Sequence, residues 1–105
     1  MSAFIQLSPI LERADDQLFF LCPGCQMLHG VNVNRGKPGP AWDWNGDVNQ
    51  PTFSPSILVT FNWGVQREER RCHSFVREGR IEFLGDCTHR LVGQTVDLPP
   101  LGDNE

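Results

Sequence analysis

The chain has 105 residues, of which 39% are hydrophobic and 21% charged, and its formal net charge is −4. This length predicts a single domain over residues 1–105, with an ordered core at about 17–98 and a flexible tail at 99–105. No apolar run is long enough for a membrane-spanning helix, and no basic segment precedes the first apolar stretch. We therefore expect a cytoplasmic protein that does not bind membranes, and the acidic balance argues against a nucleic-acid-binding protein.

Short apolar segments between glycines and prolines predict a mostly β fold, with at most a small helical contribution. The predicted strands lie at 17–21, 30–33, 57–61, 72–76, 80–84 and 95–98. One short helical turn is expected after Asp86, which can cap it, and before Gly93, which can end it. The sequence thus predicts a compact, zinc-ribbon-like domain of short antiparallel strands.

The clearest predicted element is a hairpin at 72–84. The dipeptide Glu78-Gly79 suits its turn, because glycine readily takes the positive φ that tight hairpin turns require. Alternation along the first strand places Cys72 on one face and His73 on the other. We therefore expect these two neighbours not to bind the same metal ion.

Four cysteines and three histidines fall in three clusters, Cys22-x2-Cys25-x3-His29, Cys72-His73 and Cys87-x-His89. In a reducing compartment such clusters bind metal more often than they form disulfides. A Cys-Pro-Gly-Cys segment after a strand is typical of a zinc knuckle, and a closed structural zinc site needs four ligands. Because the other two cysteines flank the predicted hairpin, we expect Zn²⁺ to be bound by Cys22, Cys25, Cys72 and Cys87.

Other interpretations of these residues stay open. His73 or His89 could replace one cysteine ligand, and His29 is expected to be a polar loop residue or a hydrogen-bond partner of a ligand. The cysteines could instead be small core residues. A redox role for the 22–25 motif would need a helix after it, which residues 26–34 do not favour.

The sequence favours a binding module over an enzyme, because it contains no His-Glu-x-x-His, no zinc-deaminase pattern and no Gly-x-Ser-x-Gly. The binding surface would include residues 42–56. One alternative is a metal-dependent hydrolase with Asp86, His73 and His89 around an open zinc site. A cysteine nucleophile at Cys72, with His89 as its base, is a weaker variant. A third possibility is a nucleic-acid-binding module that uses residues 67–90, whose net charge is only +1.

Seven short motifs, at 20–25, 29–30, 44–47, 51–56, 72–75, 86–89 and 93–96, together resemble a family of small phage and prophage proteins. Members often carry the label "ammonia monooxygenase", which a chain without a membrane span does not support. The motifs are also similar to small zinc-binding domains, some from bacterial operons with ubiquitin-like components. The resemblance implies a phage-encoded protein that binds host machinery, including defence systems, so that a host or phage protein is the expected partner.

Overall fold

Buried and exposed side chains alternate along many short segments, as expected for strands that cover a core with one face. The computed structural model describes residues 4–101, in which nine strands form two antiparallel sheets. The first sheet contains, in order, β1 (Ile5–Ser8), β2 (Leu11–Ala14), β3 (Gln17–Cys22) and β4 (Met27–Asn32). The second contains β5 (Asp43–Trp44), β6 (Phe53–Trp63), β7 (Glu68–Arg77), β8 (Arg80–Phe83) and β9 (Thr95–Asp97).

The apolar faces of the two sheets meet in one core. Leu18 and Phe20 of β3 are fully buried, as are Val76 of β7 and Ile81 of β8. The rings of Phe20 and Phe53 stack with centroids 6.2 Å apart and so join the first sheet to the second. The mostly β prediction is confirmed, and burial of these side chains supplies the main stabilisation of the domain.

The predicted hairpin is present as β7 and β8. Glu78 and Gly79 form its turn with φ values of 51° and 77°. Two consecutive residues with positive φ are typical of a type I′ turn, whose twist matches that of the flanking strands. Cys72 is fully buried on the core face of β7, while the side chain of His73 is 28% exposed. The predicted alternation of these two residues is therefore confirmed.

The predicted helical turn after Asp86 is wrong, because none of residues 4–101 lies in a helix. The N–H of Thr88 bonds across to the Arg71 carbonyl of β7 at 2.9 Å. Two turns follow, in which Val92 bonds to the His89 carbonyl and Gln94 to the Leu91 carbonyl. Bonding to the neighbouring strand thus replaces helical bonding in this segment. Within the same described part of the chain there is also no helix long and apolar enough to cross a membrane.

The first sheet begins before the predicted core, since β1 and β2 occupy residues 5–14. Part of the predicted tail is described: the Leu101 N–H bonds to the Pro9 carbonyl at 2.8 Å. Residues 102–105 of that tail lie outside the described residues.

Candidate functional site

Three cysteines from both sheets converge between them. Cys22 ends β3, Cys25 follows in the turn before β4, and Cys72 lies on β7. The Sγ atoms of Cys22 and Cys72 are 3.9 Å apart. Two sulfurs at about 2.3 Å from one tetrahedral zinc ion would be about 3.8 Å apart. A ring nitrogen of His29, on β4, completes a group of four ligand atoms that all lie within 4.8 Å of one another, so these residues could hold a metal ion.

The turn that carries Cys22 and Cys25 has the local bonding of a metal-binding knuckle. The Cys25 N–H points at the Cys22 sulfur at 3.3 Å, and the Gln26 N–H donates to the Cys22 carbonyl at 2.7 Å. Gln26 takes a positive φ of 60°. A β-carbon at Gly24 would collide with the His89 ring, so this position has no room for a side chain. Backbone N–H bonds to sulfur orient ligands and offset thiolate charge.

The three sulfurs interact strongly even without a cation. Hydrogen bonds from the Cys25 and Cys72 thiols lower the pKa of Cys22 well below its ordinary value. The same contact with Cys22 raises the pKa of Cys25 to about 12 and raises that of Cys72 further. Ionisation of Cys22 therefore disfavours ionisation of the other two thiols. A divalent cation would allow all three to ionise, because it attracts each thiolate more strongly than the thiolates repel one another.

His29 has the hydrogen bonding expected of a metal-ligating histidine. Its Nδ1 lies 3.3 Å from the Leu28 carbonyl oxygen, which can only accept, so Nδ1 carries the proton in this bond. The Nε2 atom is then left with a free lone pair, and it is buried without a hydrogen-bond partner among the described residues. A backbone carbonyl that fixes the tautomer in this way is typical of histidines that bind metal.

His89 differs from His29 in the partner of its Nδ1, although its Nε2 is likewise buried without a hydrogen-bond partner among the described residues. Its Nδ1 accepts a hydrogen bond from the Leu91 N–H at 3.3 Å, which places the proton of a neutral ring on Nε2. Burial lowers the pKa of His89, so the neutral ring is favoured. The ring packs edge-on against Phe83, with centroids 4.4 Å apart. The His89 ring thus packs against the turn that carries Cys22 and Cys25.

Cys87 is held by the backbone of β7. Its Sγ lies 3.2 Å from both the His73 N–H and the His73 carbonyl oxygen, so that the thiol accepts one hydrogen bond and donates another. Cys87 also belongs to a second group of nearby ligand atoms, with Cys72 and His89. Donation to a carbonyl requires the protonated thiol, which is not the form that binds metal.

A hydrogen-bond relay of three side chains lies on the other face of β7. The Oγ of Ser56 is 3.1 Å from Nε2 of His73, and Nδ1 of His73 is 3.2 Å from a carboxylate oxygen of Asp86. A carboxylate that accepts the Nδ1 proton leaves Nε2 free to accept the proton of the serine hydroxyl. This is the geometry of a Ser-His-Asp catalytic triad, in which the histidine acts as a base toward the serine.

Each member of the relay is positioned by a neighbouring element. Ser56 lies where the register of β6 against β7 shifts, between Phe53 and Ile57. The Trp42 indole N–H donates to the Ser56 carbonyl at 3.2 Å. Asp86 precedes Cys87, whose thiol bonds to the backbone of His73. The Cys87 thiol therefore holds the loop that carries Asp86 next to His73.

The structure brings together three of the four predicted zinc ligands, Cys22, Cys25 and Cys72, and adds His29 to them. It places Cys87 and the alternate ligand His89 in the second group. The other alternate, His73, is in neither group and instead contacts Ser56 and Asp86. The alternative of a hydrolase with an open zinc site is not favoured, since His73 and Asp86 face away from the sulfur cluster.

Sequence reasoning missed Ser56, which it treated only as part of a binding surface. No local pattern marks it, because its partners lie 17 and 30 positions further along the chain. Only the pairing of β6 with β7, and the return of the loop after β8, bring the three side chains together. Four arginines of the region at 67–90 are paired with carboxylates, in Arg70–Glu68, Arg71–Glu69, Arg77–Glu82 and Arg80–Asp97, so the surface of this region carries both signs of charge.

Comparison with known proteins gives one family. A family model described as "Bacterial ubiquitination-like system serine protease (BubE)" matches residues 5–84. The matched segment includes Ser56, His73 and the cluster of three cysteines with His29, and it ends two residues before Asp86. Neither the curated proteins nor the solved structures contain a match to the chain.

Proposed function

The chain belongs to the family of bacterial ubiquitination-like system serine proteases (BubE), and we propose that it is a serine protease whose nucleophile is Ser56. The observation that supports this most strongly is the continuous relay from Ser56 through both nitrogens of His73 to Asp86. A hydrogen bond between a serine and a histidine is common in proteins. A carboxylate at the second nitrogen of the histidine is what gives each of the three groups a catalytic role. The family's name points the same way, whereas the sequence patterns favoured a binding module.

Each residue of the proposed triad has one task. The Oγ of Ser56 attacks the carbonyl carbon of a peptide bond while Nε2 of His73 takes the hydroxyl proton. The same nitrogen then returns the proton to the leaving amine, and an acyl ester on Ser56 remains. Water, activated by His73, hydrolyses the ester. Asp86 holds the Nδ1 proton and stabilises the imidazolium that forms in each step.

We further propose that the sulfur cluster binds Zn²⁺ as a structural ion. Three thiolates and one imidazole are a common ligand set for structural zinc, and thiolates favour zinc over magnesium or calcium. Cys22, Cys25 and Cys72 belong both to the predicted four-cysteine set and to the group that includes His29. For the fourth position, the free Nε2 of His29 supports histidine over the predicted Cys87, whose thiol already bonds to the backbone.

Two variants distinguish these fourth ligands. His29→Ala is expected to lose most of its zinc, whereas Cys87→Ala should retain one zinc per chain, measured by elemental analysis of purified protein. Without the thiol that ties Asp86 to His73, Cys87→Ala should also react about tenfold more slowly at Ser56, since one to two hydrogen bonds are lost. Cys87→Ser can remake those bonds and should recover most of the rate. Zinc loss in Cys87→Ala with retention in His29→Ala would instead support the four-cysteine site.

The prediction of a host or phage protein partner becomes part of this proposal. The binding surface expected at residues 42–56 ends at the proposed nucleophile and includes Trp42, which bonds to the Ser56 carbonyl. A protein that docks there would therefore present its chain to Ser56. We propose that partner and substrate are the same molecule, within a bacterial ubiquitination-like system or a phage that meets one.

A fluorophosphonate probe tests the proposed nucleophile without a known substrate. We expect one label per chain, found on Ser56 by peptide mapping, because the probe reacts with serines that a histidine activates. Asp86→Asn should slow labelling by about 10²- to 10⁴-fold, because the amide no longer favours the required tautomer. Asp97→Asn, an exposed aspartate of the same sheet, serves as the matched control and should label at the wild-type rate. Labelling of another residue, or none, would defeat the proposal.

A further inference from the structure

One edge of β6 is unpaired directly beyond the proposed nucleophile. β7 pairs with residues 57–63 on one side of β6, whereas β5 pairs on the other side only with Phe53 and Ser54. Within residues 4–101, no backbone hydrogen bond joins residues 57–63 to a segment other than β7. A strand edge of this length offers a row of free N–H and C=O groups to a second chain.

The unpaired edge of β6 begins directly after Ser56. His73 lies on β7 and so occupies the side of Ser56 that faces the sheet interior. Because the hydroxyl gives its proton toward His73, the carbonyl that it attacks must approach from a side that His73 does not occupy, and the unpaired edge of β6 provides one. The Trp42 indole N–H bonds to the Ser56 carbonyl, and after Ser56 the described residues make no backbone hydrogen bond to this edge.

We propose that the acyl side of a peptide substrate binds as an extended strand, antiparallel to residues 57–63 of β6. This proposal rests on the proposed protease function and specifies how that site selects its substrate. A strand in this position continues the line of β5, which is itself antiparallel to β6. In that direction the substrate's carboxyl end arrives at Ser56, where the bond is cut. Main-chain hydrogen bonds then provide affinity and pockets beside the edge provide specificity.

Leu58 identifies the kind of side chain that fits beside the cut bond. It lies directly opposite His73 in the pairing of β6 with β7 and shares the outer face with it. Leu58 is 56% exposed, so its side chain offers apolar surface next to the triad. A substrate residue near the cut bond and on this face gains by burying an apolar side chain against Leu58. The substrate class is therefore an extended, apolar segment near the cut bond.

The test uses acetyl-Val-Val-Leu in which a diphenyl phosphonate replaces the leucine carboxyl group. The Oγ of Ser56 forms a bond to phosphorus, phenoxide leaves, and the serine proton passes through His73 to give phenol. Because alternate amides of a strand face opposite ways, N-methylation of one valine amide should slow labelling about tenfold or more and methylation of the other by less than threefold. Equal effects of the two methyl groups would overturn the strand pairing.

A small alkyl fluorophosphonate separates this proposal from the protease function. If it labels Ser56 and the tripeptide does not, the strand proposal fails and the protease proposal stands. If neither probe labels Ser56, the protease proposal fails and the strand proposal fails with it. Leu58→Asp should lower the ratio of tripeptide to alkyl labelling rates about tenfold. Leu28→Asp, at a leucine of β4 with 44% exposure, is the matched control, and an unchanged ratio in Leu58→Asp would remove Leu58 from the binding surface.

Discussion

Replacing Ser56 with alanine is expected to abolish the reaction with fluorophosphonate and any peptide hydrolysis, while the fold is retained. The substitution removes one hydroxyl from a partly buried position and leaves the core untouched. Loss of a triad member commonly lowers the rate by about 10³-fold or more, because no other group can supply the nucleophile. The labelling rate and the thermal unfolding midpoint, measured on the same preparation, check both parts of this expectation.

The histidine provides a second check that the three side chains act as a unit. His73→Ala should be as inactive as Ser56→Ala, and the double variant should be no worse than either, because triad members do not contribute additively. Ser54→Ala is the matched control, since Ser54 is an exposed serine two residues earlier on the same strand. Wild-type labelling in Ser56→Ala would place the nucleophile elsewhere in the chain.

Replacing Cys25 with serine is expected to release the metal ion and unfold most of the domain. Structural zinc contributes about 10–16 kcal/mol of apparent binding free energy at neutral pH, comparable with the whole stability of a small domain. Cys25 is the informative choice because it is only partly buried, whereas Cys22 and Cys72 are fully buried and their loss would also disturb packing. Elemental analysis and near-UV circular dichroism measure the two expected losses.

The matched control for this experiment is Leu28→Ser, an exposed position on the adjoining strand. It should retain metal and its near-UV spectrum. A Cys25→Ser protein that stays folded with one zinc bound would remove Cys25 from the ligand set. A wild-type protein that is folded without metal would return all the cysteines to the role of core residues.

The hairpin and the cysteine knuckle could be predicted from the sequence because their signals are local. Glu78-Gly79 marks a tight turn, alternation separates Cys72 from His73, and Cys22 and Cys25 are three positions apart. The strands β1 and β2 were missed because they contribute little to the core: Leu11 is the one buried residue in the two strands. The short turn between these two strands also contains no glycine, which would have indicated a tight turn.

The proposed triad could not be predicted because its geometry depends on tertiary pairing. Ser56 meets His73 only through the register of two neighbouring strands, and that register shifts just before Ser56. The two histidines near the sulfur cluster could not be told apart from the sequence either. His29 and His89 both lie near cysteines in the sequence, and only the hydrogen bonds of their Nδ1 atoms show that Nε2 has a free lone pair in His29 and carries the proton in His89.

The contact between Cys22 and Cys72 has a consequence for how the chain folds. Every strand in both sheets pairs with its neighbour in the sequence, so each sheet can assemble through local connections of at most 11 residues. The two cysteines are 50 positions apart, and joining them closes a much longer loop. All three residues of the proposed triad lie in the second sheet or in the loop after β8. We therefore expect zinc to bind late in folding, after each sheet has formed locally. By joining Cys22 to Cys72 it would dock the two sheets, and this step would set the rate at which they assemble.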